Sequence, residues 1–159
     1  MKRTAPHLSD QALPRSLRAL VARDRVTTAE LLDHIAEMDR RKLYRPAGYP
    51  SMIAYCEGEL HLCRQAAFKR IAVARAAVRF PAIFGAIAEG SLHLSAVVLL
   101  GPYLTEDTAD ELLSAATHKA KSEIESLLAE RFPKSELLAW VEPIPPPSLT
   151  PRPACQLSP

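Results

Sequence analysis

Ser51-Met-Ile-Ala-Tyr-Cys-Glu-Gly-Glu-Leu-His-Leu-Cys-Arg-Gln-Ala-Ala-Phe-Lys-Arg-Ile71 is the stretch that decides the fold. Ser51 is a favourable helix cap, and the apolar residues on either side of Leu60-His61-Leu62 recur at helical spacing. The stretch therefore predicts two helices joined by a tight corner, the second of which continues to Arg79. This arrangement is a helix-turn-helix, which in many proteins docks its second helix in the major groove of DNA.

The predicted second helix and the segment before the hairpin are both basic. No acidic residue occurs from Leu60 to Ala88, and this range holds Arg64, Lys69, Arg70, Arg75 and Arg79. The earlier cluster is made of Arg40, Arg41, Lys42 and Arg45. A formal net charge of +2 is too small to indicate a nucleic-acid partner, so only this local clustering favours a polyanion. The alternative interpretation is that these cations are ordinary solvated helix faces.

Double-stranded DNA is the expected partner of such a hairpin, and each basic residue then has an expected place. Arg64, Gln65 and Lys69 lie in the first half of the second helix, nearest the major groove, where Gln65 could hydrogen-bond an adenine. Contacts with phosphates are expected from the remaining cations, Arg70, Arg75, Arg79, Arg40, Arg41 and Lys42. Helical hairpins in bundles that never touch DNA share the same apolar spacing, so a protein-interaction or dimerisation module is the alternative.

Three residues depart from the usual helix-turn-helix pattern. His61 occupies the corner where a glycine or another small residue is usual, and Cys63 takes the place of a capping serine or threonine. Arg70 falls where the pattern usually has an apolar core residue. These departures keep the alternative of an interaction bundle open.

The sequence before and within the hairpin predicts further helical faces. One helix is expected over residues 16–22, and Thr27-Thr-Ala-Glu30 has the spacing of a capping box that begins another. An apolar stripe extends this second helix to about Lys42. In the helix over residues 64–79, four side chains are expected on the buried face, namely Ala67, Ile71, Ala74 and Val78.

The sequence after the hairpin is also helical in character. A helix over residues 82–89 is expected to end at Gly90, and a short apolar helix is expected over residues 95–100. Thr105 is expected to cap the next helix, and a last helix is expected over residues 121–131. The predicted fold is an all-α, compact bundle of about seven short to medium helices that contains the helix-turn-helix-like hairpin.

The chain is expected to divide into three parts. Residues 1–14 are predicted to be a flexible N-terminus, residues 15–132 a single helical domain, and residues 133–159 a disordered Pro-rich tail or linker. A length of 159 residues with 48% hydrophobic and 24% charged content is typical of one globular domain. No apolar run approaches the roughly 18 residues of a membrane span, and the start lacks the apolar core of a signal peptide, which predicts a cytoplasmic location.

Residue patterns for catalysis or metal binding are sparse. The sequence has no Gly-rich phosphate loop and none of the common hydrolase or metalloprotease motifs. Cys56, His61, Cys63 and His93 are the one plausible metal cluster, but their spacing matches no zinc motif. The cysteines, of which Cys155 is the third, form no CxxC pair and are expected to be free thiols. We therefore expect no catalysis by this chain and no cofactor, metal or small-molecule substrate.

A six-residue pattern occurs twice in the chain. Gly90-Ser-Leu-His-Leu-Ser95 repeats the pattern of Gly58-Glu-Leu-His-Leu-Cys63 at an offset of 32 residues. The repeat predicts either the duplication of one helical hairpin or two corners that share a geometry, unless it is coincidental.

A family resemblance is carried by five segments, Leu43-Tyr-Arg-Pro-Ala-Gly-Tyr-Pro-Ser-Met-Ile-Ala-Tyr-Cys56, Ala66-Ala-Phe-Lys-Arg-Ile71, Ala74-Arg-Ala-Ala-Val-Arg-Phe-Pro81, Glu89-Gly-Ser-Leu-His-Leu-Ser-Ala96 and Thr117-His-Lys-Ala-Lys121. Together they resemble the helical N-terminal region of bacterial HNH-endonuclease-type proteins, over roughly residues 17–132. In those proteins a linker leads to a Cys/His-containing HNH nuclease domain, to which nothing in this sequence corresponds. The resemblance implies an accessory module without nuclease chemistry, or a remnant of a truncated HNH endonuclease. DNA, a second copy of the chain and a nuclease domain supplied in trans are the partners it implies.

Overall fold

The computed structural model describes residues 5–133, and every regular element in that range is helical. The α-helices in chain order are α1 (Ala12–Arg41), α2 (Met52–Gly58), α3 (Arg64–Arg79), α4 (Ala82–Glu89), α5 (Leu94–Leu100), α6 (Ala109–Ala115) and α7 (Lys121–Arg131). Short 3-10 helices cover Ala5–His7 and Gly101–Tyr103. The expected all-α bundle of about seven helices is therefore confirmed. The predicted Pro-rich tail, with Cys155, lies outside the described residues except for Pro133.

Helix α3 lies at the centre of the bundle and contacts α1, α2, α4 and α5. Three of the four side chains expected on its buried face, Ala67, Ile71 and Ala74, are buried. The prediction was wrong for Val78, which is 55% exposed. Val73 and Ala77 are buried in addition. Val78 lies on nearly the same side of α3 as Ala67 and Ile71, but it is one residue before the end of the helix, where that side is not covered.

Helix α1 is a single helix of 30 residues, which corrects the expectation of separate helices over 16–22 and from Thr27. The intervening Arg23-Asp-Arg-Val26 contains neither Gly nor Pro, so nothing interrupts the backbone hydrogen bonds before the capping-box residues. The second half of α1 packs against α3 and α4 and buries Leu32 and Ile35. In the first half, every side chain from residue 13 to residue 27 except Ser16 is exposed.

The ends of the other helices agree with the sequence in most places. Ser51 caps α2, since its Oγ accepts a hydrogen bond from the Ala54 backbone N–H at 3.1 Å, as predicted. Gly90 ends α4 in the left-handed conformation with φ of 80°, also as predicted. Thr105 does not cap α6, which begins at Ala109. The Thr108 hydroxyl instead donates to the Tyr103 carbonyl at 2.8 Å and fixes the turn before that helix.

Candidate nucleic-acid interface

Helices α2 and α3 form the predicted hairpin, and its corner has a left-handed residue. His61 has φ of 50°, a conformation that favours glycine and that histidine adopts more readily than most other residues. The Leu62 N–H donates to the Cys56 carbonyl at 3.0 Å and closes the corner. Cys63 precedes α3 in extended conformation without a side-chain hydrogen bond to the helix. The geometry thus explains why a small residue is usual at the corner, and it shows that α3 begins without a side-chain cap.

The solvent side of α3 gathers most of the predicted contact residues. At 100° per residue, its exposed side chains other than Val78, which lies on the packed side, fall within an arc of about 140°. We call this arc the α3 face, which consists of Arg64, Gln65, Phe68, Lys69, Arg75 and Arg79. Helix α3 contains no acidic residue, so the face presents cations, one amide and one aromatic ring.

Two of the cations on the α3 face are paired with acids from other elements. The Arg75 Nε donates to the Asp39 Oδ2 of α1 at 2.7 Å, and this contact raises the pKa of Arg75. The Arg64 Nη1 lies 3.6 Å from the Glu57 Oε2 of α2, although the Arg64 side chain is 76% exposed. The exposed Arg64–Glu57 pair is worth little and can be exchanged for a phosphate contact.

Lys69 and Arg79 are the cations of the α3 face that carry an uncompensated charge. Within residues 5–133, neither side chain lies within 4.0 Å of a carboxylate. The Arg79 guanidinium carbon lies 5.2 Å from the centre of the Phe80 ring, a cation–π contact that holds the head group beside the end of the helix. These two charges are therefore the most available to an anionic partner.

The basic cluster at the end of α1 is partly compensated by one acid. The Glu37 carboxylate accepts hydrogen bonds from Arg40 and Arg41, and these bonds lower its pKa from 4.5 to about 2. Lys42 follows in the left-handed conformation with φ of 54° and ends the helix. The structure brings this cluster close to the α3 face through the Asp39–Arg75 pair, because Asp39 directly precedes Arg40.

Arg70 lies on the opposite side of α3 from the other cations. It is half-buried, its Nη1 donates to the Ala66 carbonyl at 3.4 Å, and its Nε is buried without a partner among the described residues. This placement matches the core position that the helix-turn-helix pattern assigns to residue 70. Arg70 therefore lies outside the α3 face, although the sequence placed it among the phosphate contacts.

Phe68 is the member of the α3 face that sequence reasoning missed. Its side chain is 56% exposed, and with Ile53 of α2 it forms the apolar part of a groove of about 460 Å³. The other lining residues are Arg64, Gln65 and Lys69. The sequence does contain a pattern that predicts this placement, because Phe68 falls at i+3 from Gln65 and i+4 from Arg64 and so shares their side of the helix.

The structure also places the Cys and His side chains that were considered as metal ligands. Cys56 is buried and burial raises the pKa of its thiol, whereas Cys63 is exposed at the start of α3. The His93 Nδ1 accepts a hydrogen bond from the Ala96 N–H at 3.0 Å and so caps α5. Among the described residues, no group of three or more His, Cys, Asp or Glu side chains is arranged to hold a metal ion.

The two copies of the repeated six-residue pattern have different backbone geometries. In the first corner the left-handed residue is His61, whereas in the second it is Gly90, which matches Gly58 in the repeat. His61 is a corner residue, but the matching His93 is an extended helix cap. A shared corner geometry is therefore not the reason for the repeat.

No known family model, curated protein or solved structure matches this chain. The resemblance to HNH-endonuclease-type proteins accordingly stays a prediction from the five quoted segments. The helices between residues 5 and 133 include none that is both long enough and apolar enough to cross a bilayer.

Proposed function

We propose that this chain is a cytoplasmic, DNA-binding accessory module of an HNH-endonuclease-type protein that contributes binding and not catalysis. The observation that supports the proposal is the α3 face, where the cations of one helix meet solvent beside a helix-turn-helix corner. A solvent-facing helix with cations and without acids is complementary to the phosphates of double-stranded DNA.

In this proposal the two halves of the α3 face have different tasks. The first half, with Arg64, Gln65 and Lys69, enters the major groove, where Gln65 can hydrogen-bond an adenine. Arg75 and Arg79 in the second half contact phosphates and set the register of the helix on the duplex. Lys42 contacts a neighbouring phosphate directly, whereas Arg40 and Arg41 do so only after Glu37 gives up part of its hydrogen bonding. Arg70 supports the helix from the core side.

Fluorescence anisotropy of labelled duplex DNA at about 50 and 200 mM salt tests the proposal. If the four cations Arg64, Lys69, Arg75 and Arg79 each neutralise one phosphate, the salt slope is about −3.6, and affinity falls about 150-fold over this fourfold range. Absence of binding at the lower salt concentration would overturn the proposal. So would binding that does not change between the two concentrations.

Single substitutions locate the binding surface. Lys69→Ala and Arg79→Ala each remove an uncompensated charge, so each is expected to reduce the salt slope by about 0.9. Arg75→Ala is expected to reduce it by less, because Asp39 already neutralises part of that charge. Arg18→Ala on α1 is the matched control, since it removes an exposed cation outside the α3 face that pairs with no carboxylate among residues 5–133. Equal slopes for Lys69→Ala, Arg79→Ala and the control would place the interface elsewhere.

The first half of α1 favours a second candidate function, a protein-interaction or dimerisation module. Its exposed apolar residues Leu13, Leu17, Leu20 and Val21 recur at helical spacing on one side of the helix. Such an unpartnered stripe is typical of a surface that packs against another helix, supplied by a second copy or by a nuclease domain. Sedimentation velocity of the chain and of a Leu17→Ser/Leu20→Ser variant tests this candidate. It predicts self-association that the variant loses, and a concentration-independent monomer would exclude the second copy.

A further inference from the structure

The groove between α2 and α3 combines an aromatic wall, an aliphatic wall and polar groups at its rim. Phe68 and Ile53 supply the apolar surface, and Gln65 supplies an amide that can donate and accept hydrogen bonds. Arg64 and Lys69 add positive charge at the same opening. The volume of about 460 Å³ lies within the range of small-molecule sites, roughly 300–1,000 Å³.

A nucleobase has the chemistry that this groove can recognise. Bases stack on exposed aromatic rings whatever their sequence, because every base has a π-face. An amide side chain can hydrogen-bond the exposed edge of a base, and neighbouring cations can meet the phosphates on either side of it. The charge of the rim is complementary to a nucleic acid, although Glu57 pairs with Arg64 at 3.6 Å and partly reduces it.

A base within a continuous duplex cannot enter a concave groove, because its faces are covered by its neighbours in the stack. A base that is unpaired or displaced from the stack can enter, and it is then read by stacking and by its free edge. The same residues that would meet the major groove thus form a groove that an unstacked base can enter and a stacked base cannot.

We infer that the groove formed by Ile53, Arg64, Gln65, Phe68 and Lys69 binds an unpaired nucleobase, so that the chain prefers DNA with a local opening to fully paired DNA. This inference rests on the proposed DNA-binding function and names the form of DNA that the same face selects. Phe68 is the stacking platform, Gln65 contacts the base edge, and Arg64 and Lys69 hold the flanking phosphates.

The test compares three labelled DNA molecules of equal length by anisotropy. They are a fully paired duplex, the same duplex with one extra unpaired thymine, and the same duplex with an abasic residue at that bulge. The two bulged molecules carry the same number of phosphates and differ in chemical composition only by the one base. Stacking of one base on Phe68 is expected to make the thymine bulge bind about 5- to 150-fold more tightly than the abasic bulge. Their salt slopes are expected to be equal.

Variants at residue 68 show whether the ring carries this preference. Phe68→Ala is expected to abolish the difference between the two bulges, Phe68→Leu to leave a small one, and Phe68→Trp to retain it. Val78→Ala is the matched control, because Val78 is equally exposed on α3 but lies ten residues, about 15 Å, further along the helix. Circular dichroism of each variant verifies that the helices are intact.

The outcomes separate this inference from the proposed function. Equal affinity of the native chain for both bulges overturns the inference, and so does a preference that persists in Phe68→Ala. If salt-dependent binding to the paired duplex is present in those cases, the proposed function stands without it. If none of the three DNA molecules binds at about 50 mM salt, the proposed function and the inference fail together.

Discussion

Two leucines of α1 allow a direct test of how this long helix is anchored. Leu32 is fully buried against α3 and α4, whereas Leu17, on the same helix, is 60% exposed. The perturbation is the same Leu→Ala change at either residue. The two variants therefore lose the same three carbon atoms from one secondary-structure element, and they differ only in tertiary contact.

The expected magnitudes follow from these two environments. Leu32→Ala removes fully buried methyl groups and leaves a cavity at the centre of the bundle, which costs about 2–5 kcal/mol of the free energy of unfolding. Leu17→Ala removes side-chain atoms that are already largely in water, and alanine is the better helix former, so the change stays within about 0.5 kcal/mol.

Urea unfolding followed by circular dichroism measures both changes. With an m-value of about 1–3 kcal/mol/M, Leu32→Ala is expected to lower the midpoint by about 1–3 M, while Leu17→Ala leaves it nearly unchanged. An unchanged m-value in both variants shows that the comparison is valid. Equal shifts of the two midpoints would refute the reasoning, because they would mean that the first half of α1 is buried in solution.

Three further predictions concern the corner, the thiols and the acid at the end of α1. His61 has φ of 50°, a conformation that glycine adopts without strain, so His61→Gly is expected to stabilise the fold or leave its stability unchanged. A β-branched residue is strained in this conformation, so His61→Val is expected to lower the midpoint of thermal unfolding by several degrees. Brief alkylation followed by peptide mass spectrometry is expected to label exposed Cys63 well before Cys56, because Cys56 is buried and burial raises the pKa of its thiol. Equal labelling of the two thiols would contradict the placement of Cys56 in the core. NMR titration is expected to give Glu37 a pKa of about 2. The contribution of Glu37 to the free energy of unfolding is then complete above its ordinary pKa of 4.5 and is lost as the pH falls towards 2. In Arg40→Ala the pKa of Glu37 should move back towards 4.5, and an unchanged pKa would refute the ion pair.

Short sequence patterns were sufficient to predict where several helices begin or end. Helix α3 covers the predicted residues 64–79 and α4 ends at Gly90, because a left-handed glycine and a proline are strong local terminators. Ser51 caps α2 for the same kind of reason, since its hydroxyl meets an N–H only three residues away. These interactions depend on near neighbours in the chain and so can be predicted from short stretches of sequence.

Features for which a local sequence pattern competes with its structural surroundings were predicted less well. Thr27-Thr-Ala-Glu30 matches a capping box, but the residues before it continue as helix and the signal has no effect. Val78 follows the apolar spacing of α3, yet it lies at the end of the helix, where the side that buries Ala67 and Ile71 is not covered. In both cases the outcome depends on which competing arrangement the whole bundle favours.

At the candidate site, too, local features were predicted from the sequence, and contacts between helices were not. The concentration of cations on α3 and the absence of acids there were evident from sequence, and so was the helix-turn-helix corner. The ion pairs of Arg75 with Asp39 and of Arg40 with Glu37 were not predicted, and neither was the groove at Phe68. Asp39 and Ile53 reach these places from other helices, and their approach depends on packing.

The sequence by itself determined that this chain is helical, where its central helices begin and end, and that α3 is basic. These properties follow from backbone preferences, caps and composition, which act over a few residues. Tertiary structure alone decided that Val78 is exposed, that Asp39 compensates Arg75, and that Phe68 stands in a groove beside Gln65. Burial and pairing are relations between segments distant in the chain, and the packing of the whole bundle sets them.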